Sequence, residues 1–167
     1  MPMPLFKTAA AFAAGMAITT SSFAEDAGSY LAARSAMIAS DYGEASSYYA
    51  RALVRDPTNP AVLENGAIAF LGLGDLDRAA EIAERAEDQG SASQLIALIR
   101  LGDLARQEDW AGLMAGQEAG LVVGPLFDGL ARSWALVGDG KMSEALASFD
   151  EVASNQGVEA FGLYHKA

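Results

Sequence analysis

The sequence predicts an all-α fold, an α-solenoid in which helix–turn–helix pairs stack on one another. The first observation is a 34-residue period: Asp41–Ala45 (DYGEA) recurs as Asp75–Ala79 (DLDRA) and, more weakly, as Asp109–Leu113 (DWAGL). The second is that apolar residues between these motifs recur every three or four positions, which is typical of amphipathic helices. The third is that alternating β-branched runs, which would indicate strands, are absent from the sequence. A period of this length, with two helices in each unit, is typical of solenoids.

The first pair of helices is predicted from spacing and capping. Tyr30, Ala33 and Met37 recur at helical spacing and define the first helix. Asp41 then supplies a cap oxygen for the second helix. That helix ends before Pro57, because the residue that precedes a proline avoids the α region.

The later helices follow from the same signals. Asn59 and Pro60 provide a cap and a first-turn proline for the third helix. Gly74-Asp75 and Gly138-Asp139-Gly140 mark turns inside later pairs. The predicted helices are 27–39, 43–54, 60–72, 76–88, 92–106, 110–118, 126–137 and 142–154, and a ninth begins near Val158.

The N-terminal segment Met1–Ala24 has the pattern of a cleaved secretory signal peptide. Lys7 precedes the apolar run Ala9–Ile18, and Ser22-Phe23-Ala24 places small residues three before and one before a cut. The alternative is a membrane anchor, but the run is too short to span a bilayer as a helix. We therefore expect cleavage after Ala24, no integral membrane segment after signal removal, and a periplasmic or secreted location.

Composition excludes several classes of function. The chain of 167 residues has 22 Asp and Glu against 11 Lys and Arg, a net charge of −11, and without Lys7 the mature chain carries −12. An acidic surface repels phosphates, so we expect no nucleic-acid partner. The sequence has no cysteine and a single histidine, His165, which excludes thiol catalysis and multi-histidine metal sites within one chain.

The remaining candidates for chemistry are weak. Gly138–Ser143 resembles half of a phosphate loop, but the first glycine of that motif is missing and Met142 stands where Ser or Thr is needed. The acids Asp75 and Asp77 fit helix capping better than calcium binding, since no calcium-loop pattern is present. We therefore predict that the chain is not an enzyme and carries no cofactor and no metal.

These features together resemble the tetratricopeptide repeat family. The resemblance rests on the period, the helix–turn–helix unit, small residues such as Ala45 and Ala79 where helices would cross, and Arg51–Pro60 (RALVRDPTNP), which is especially similar to the family's unit boundary. It covers about residues 27–154. It divides the domain 25–167 into units of about 27–58, 59–91, 92–124 and 125–156, with the start of a fifth at 157–167.

Two segments depart from the family pattern. Leu113 and Gly120 stand where the family usually has alanine, and Gln117 replaces a large apolar residue, so we expect the second helix of the third unit to be short or irregular. The last segment, Gly157–Ala167, opens a helix pattern without a capping helix. We therefore expect a fifth pair beyond Ala167 and an exposed apolar patch on this segment.

The resemblance also implies a concave face lined by the first helix of each pair. This face would combine apolar, aromatic and arginine side chains, a composition favoured at protein interfaces. Ordinary packing is the alternative for each residue. The implied groove residues are Tyr30, Arg34, Met37, Glu64, Ile68, Leu71, Leu98, Arg106, Phe127, Leu130 and Trp134.

The predicted function is that of an exported, non-catalytic scaffold that binds a protein or peptide through this face. The settings implied by the family are cell-envelope assembly, secretion or polysaccharide export. The acidic balance favours a basic partner. The alternative is the repeat arm of a longer protein whose activity lies beyond Ala167.

Overall fold

The computed structural model describes residues 28–167 of the chain. The predicted signal peptide, Met1–Ala24, and its cleavage site lie outside these residues. Between residues 28 and 167 the structure is helical with short turns and contains no strand, which confirms the all-α prediction. The first helix, α1, is described over 28–38. The others are α2 Tyr42–Arg55, α3 Pro60–Leu73, α4 Leu76–Asp88, α5 Gln94–Arg106, α6 Trp110–Ala119, α7 Pro125–Gly138, α8 Met142–Ser154 and α9 Glu159–Lys166.

The period of the sequence appears in the structure as a repeated helix cap. Asp41, Asp75 and Asp109 occupy equivalent positions of the repeat and are the N-caps of α2, α4 and α6. The Oδ1 atom of each accepts a hydrogen bond from the backbone N–H three residues later, at 3.1, 3.2 and 2.9 Å respectively. Each bond satisfies one of the N–H groups that a helix start leaves without an internal acceptor.

Consecutive helices pack against each other from α2 to α9, and α3 also packs against α5. The contact between α3 and α5 joins the first helices of two successive pairs, as expected when helix pairs stack. This arrangement confirms the predicted α-solenoid of helix–turn–helix units.

The core is divided among three clusters of buried residues. The first is the largest and draws on α1 to α5, the second on α5 to α7 with the loop after α6, and the third on α7 and α8 alone. Ala45, Ala79 and Ala86 are fully buried, as expected for helix crossings. Tyr49 and Phe149 fill gaps beside such crossings and are also buried.

The third unit has a second helix that buries little. Its second helix, α6, has 10 residues and buries only Leu113, whereas α4 buries Ala79, Ala80, Ile82, Ala83 and Ala86. The helix is short, as expected, but regular. Gln117 donates a hydrogen bond to the backbone carbonyl of Asp128 (2.8 Å), and Gly120 ends the helix with a left-handed φ of 112°.

The last helix leaves apolar surface exposed. Gly162 brings the backbone of α9 against Ala153 of α8, while Phe161, Leu163 and Tyr164 are 52%, 59% and 79% exposed. This is the exposed patch that the sequence predicts for the segment. Among residues 28–167, no helix combines the length and the hydropathy that crossing a membrane requires.

Candidate binding groove

Two pockets with apolar walls lie along the first helices of the second, third and fourth units. The central pocket, between α3, α4 and α5, has a volume of about 260 Å³. The distal pocket, between α5, α6 and α7, has a volume of about 350 Å³. The central pocket is lined by Leu71, Leu76, Ala79, Leu98, Ile99, Gly102, Asp103 and Arg106. The distal pocket is lined by Leu101, Gly102, Ala105, Trp110, Leu113, Phe127, Leu130, Ala131, Trp134 and Ala135.

The two pockets meet on α5. Gly102 contributes to both of them. It is exposed to solvent and lies away from the ends of that helix. The pockets therefore adjoin and form a single surface feature, which we call the apolar groove. It runs from α3 across α5 to α7.

The central pocket lies where a repeated packing contact is missing. Between the first and second units, the ring of Tyr42, the first residue of α2, lies against Gly72 of α3, where any side chain would collide with it. Between the third and fourth units, the ring of Trp110 lies against Gly138 of α7 in the same way. The equivalent residues between the second and third units are Leu76 and Arg106, and both line the central pocket. An aromatic ring therefore packs on a glycine between the first and second units and again between the third and fourth units, whereas a leucine beside an arginine takes its place between the second and third units.

The charged end of the central pocket is held by Arg106. Its Nη2 donates to Asp77 at 2.6 Å and to Asp103 at 2.7 Å, which connects α4 to α5. The hydrogen bond to Asp103, followed by the charge of Asp77, raises the pKa of Arg106 above its ordinary value. Arg106 therefore remains a fixed cation between two carboxylates at the edge of the groove.

Six of the predicted groove residues line the apolar groove. Leu71, Leu98 and Arg106 belong to the central pocket. Phe127, Leu130 and Trp134 belong to the distal pocket. The structure thus brings together the predicted residues of α5 and α7 with one residue of α3.

Neither a protein-family model nor a curated protein matches this sequence.

The other predicted residues lie elsewhere. Tyr30 packs edge-on against buried Tyr49, with ring centroids 6.3 Å apart, and lines a separate pocket with Ala52 and Val62. Arg34 is exposed on α1, and Met37 packs against the first buried cluster.

Two predicted residues of α3 have internal positions. Glu64 accepts a hydrogen bond from the Ser93 hydroxyl at 2.6 Å, which fixes α3 to the start of α5. Ile68 is half-buried and lines neither pocket of the groove. The predicted row therefore does not continue through α1 and the part of α3 that precedes Leu71.

Trp134 has both an internal and an exposed side. Its ring packs edge-on against Phe149 at 5.6 Å, and its Nε1 donates to Nδ1 of His165 at 3.2 Å. The residue is still 48% exposed and forms a wall of the distal pocket. Replacing Trp134 would therefore change both the groove and the contact between α7 and α9.

The weak chemical motifs have structural positions. In the segment that resembles half of a phosphate loop, Lys141 pairs with Asp139 at 2.8 Å, and Gly138 lies under the Trp110 ring. No group of three or more histidine, aspartate and glutamate residues that could hold a metal ion occurs within residues 28–167. The distal pocket is lined by apolar residues alone, so what it can do is accommodate apolar side chains.

Sequence reasoning missed Gly102, Leu76 and Trp110 as groove residues. A signal for Gly102 was present in the repeat offsets. In the register of the repeat, Gly102 is equivalent to Arg34, Ile68 and Trp134. Those three positions carry large side chains, so the glycine marks a gap in that row.

Proposed function

We propose that this chain is an exported, non-catalytic scaffold of the tetratricopeptide repeat type that binds a protein or peptide through the concave face of its solenoid. The apolar groove is its binding site. The settings that fit are cell-envelope assembly, secretion or polysaccharide export.

The observation that carries the proposal is the adjoining pair of pockets along α3, α5 and α7, the first helices that the family resemblance would place on the concave face. Interfaces concentrate their binding energy in apolar and aromatic anchors that enter such pockets. Phe127 and Trp134 are 37% and 48% exposed although both are large and apolar. Burial of these rings by a partner would supply a favourable hydrophobic contribution.

The family and the export route are supported by the sequence. The 34-residue period, together with capping aspartates at the same spacing, supports the family. The charged, apolar and small-x-small order of Met1–Ala24 supports export. Mass spectrometry of the exported protein should find a chain that begins at Glu25, and an intact Met1 in the envelope fraction would contradict that route.

The binding proposal is tested in two steps. A pull-down from envelope extract identifies a partner, and the purified pair then gives a dissociation constant. Leu98→Glu and Phe127→Glu each place a charge in one pocket, so each should weaken binding at least about tenfold. Val54→Glu is the matched control, because Val54 is 84% exposed on α2 and lies outside both pockets.

Circular dichroism and thermal melting of each variant separate loss of binding from loss of folding. If both groove variants fold and bind the partner like the wild type, the groove is not the binding site. If Val54→Glu weakens binding as much as they do, the contact lies on the second helices instead.

A further inference from the structure

Gly102 has no structural reason within the described chain to be glycine. It lies inside α5, where glycine is unfavourable compared with alanine because it loses more backbone freedom on folding. A Cβ added there would meet nothing within 4 Å. Every other glycine inside α2–α9 has an atom of another residue within 4 Å of its Cβ position. Gly102 therefore lowers helix stability, and no close packing contact within the described chain requires a glycine there. Such a conflict with local propensity is typical of functional positions.

The same chain shows what such a glycine is used for. At Gly162 the backbone of α9 touches the backbone of Ala153 on α8, so a side chain there would prevent the two helices from crossing. At Gly129, a Cβ would collide with Val152 on the neighbouring helix. Small residues at crossings let helix backbones approach closely. Gly102 leaves the backbone of α5 equally uncovered on its solvent-exposed side, at the point where the two pockets meet.

The charges beside the groove indicate what kind of helix would lie there. Asp77, Asp103, Glu108 and Asp109 lie in or next to the turns at the Arg106 end of the central pocket. Asp77 keeps 85% of its side chain exposed although it contacts Arg106. The chain as a whole carries a charge of −11. A cationic segment would be attracted to this edge, and an acidic one repelled.

We infer that the partner segment is an amphipathic helix with a cationic flank. Its backbone crosses α5 at Gly102, its apolar side chains enter the central and distal pockets, and its Lys or Arg residues face the acidic turns. This inference rests on the proposed function and names the class of ligand for the same groove.

The first test uses synthetic peptides and the purified chain. One labelled helical peptide has leucines at positions i, i+3, i+4 and i+7 with lysines on the flank. A second has glutamates in place of the lysines, and a third is a scrambled sequence of the first. Fluorescence anisotropy should show that the lysine peptide binds at least about tenfold more tightly than either of the others. Its affinity should fall as salt rises.

The second test uses Gly102 itself. Gly102→Ala and Gly102→Leu improve helix propensity in open space, so both should raise the melting temperature by about 1–3 °C. Both should also obstruct the crossing of the peptide helix over α5. Gly102→Ala should therefore weaken binding of the lysine peptide by about threefold, and Gly102→Leu by about tenfold or more. Gly43→Ala on α2 is the control and should leave the affinity unchanged, because Gly43 lies outside the groove. A gain in stability together with a loss in binding is the expected signature.

The results that overturn the inference are distinct. Equal binding of the three peptides, or wild-type affinity for Gly102→Leu, excludes a cationic helix that crosses at this glycine. A lower melting temperature for Gly102→Leu would mean that Gly102 is needed for folding. Concentration-dependent dimers that Gly102→Leu abolishes would make the occupant a second copy of the chain.

The inference can also fail without the proposed function. If Leu98→Glu and Phe127→Glu abolish binding of the pulled-down partner while the Gly102 variants do not, the groove binds, but in another way. If none of the four variants affects that partner, the proposed function itself is wrong.

Discussion

The second and third units share their local signals but differ in their cores. Both begin their second helix with an aspartate that caps the backbone three residues later, at 3.2 Å for Asp75 and 2.9 Å for Asp109. Yet α4 buries a full row of alanines together with Ile82, whereas α6 buries only Leu113. Capping and period therefore form a helix in both units, and apolar burial makes only α4 a strong structural element.

This difference explains where the distal pocket of the groove lies. A helix that contributes little to the core leaves the helices beside it, α5 and α7, partly uncovered. Trp110 and Leu113 of α6 form one side of the distal pocket. The weakly packed α6 therefore leaves the apolar surface of the distal pocket exposed.

The largest expected effect tests the comparison directly. Leu63 is fully buried in the first cluster, so Leu63→Ala should lower the free energy of unfolding by about 3–5 kcal/mol. Leu113→Ala removes an equally large side chain from the second cluster, which has fewer buried residues than the first, and should cost about 2 kcal/mol. Denaturant unfolding measures both. Equal costs would show that α6 is packed as firmly as α3.

A second substitution should strengthen the first cluster. The Tyr49 hydroxyl is buried and finds no hydrogen-bond partner in the described part of the chain. Tyr49→Phe removes this unsatisfied group and should raise the free energy of unfolding by about 1 kcal/mol at neutral pH. A loss of stability would mean that the hydroxyl is hydrogen-bonded in solution.

The same residue predicts a pH dependence. Burial raises the pKa of Tyr49 above its ordinary value of 10.0, Tyr30 raises it further, and Arg34 opposes the shift. The unfolded chain then loses this proton at a lower pH than the folded chain. Below its ordinary pKa, Tyr49 is neutral in both states and its ionisation leaves the free energy of unfolding unchanged. As the pH rises from there through the folded pKa, the free energy of unfolding falls. Tyr49→Phe should show a smaller loss of stability in this range, and identical alkaline profiles would contradict the assignment.

The smallest expected effects come from a matched pair of glycines. A Cβ at Gly66 in α3 would lie 3.4 Å from Leu53 and 3.6 Å from Tyr49, so Gly66→Ala fits and should stabilise the chain by about 0.5–1 kcal/mol. At Gly116 in α6 it would lie 2.9 Å from the end of Leu121, which must move. Gly116→Ala should therefore change stability by less than about 0.5 kcal/mol. Thermal melting compares them, and a larger gain at Gly116 would reverse the expected order.

The sequence was sufficient for the fold because its signals are local. Asp41, Asn59 and Asp75 mark helix starts through hydrogen bonds to their own neighbours in the chain, and the observed bounds of α2–α8 agree closely with the predicted ones. The short α6 was also predictable, since Gln117 and Gly120 interrupt its apolar pattern.

The groove was only partly predictable because pockets depend on pairs of side chains from different helices. The central pocket is lined by Leu76 and Arg106. It can be recognised only by comparison with the equivalent positions, where Tyr42 packs on Gly72 and Trp110 packs on Gly138. Glu64 was predicted to line the face, but its carboxylate is engaged by Ser93 at the start of α5. Neither contact follows from spacing along one helix.

Hydrogen exchange of the chain with and without its pulled-down partner tests the central claim most directly. In the free chain, α6 amides should exchange faster than those of α4, because α6 has fewer buried contacts. With the partner bound, protection should increase in Gln94–Arg106, Trp110–Ala119 and Pro125–Gly138, and α2 should not change. Protection confined to α2 and α4, or no change at α5 and α7, would contradict the assignment of the apolar groove as the binding site.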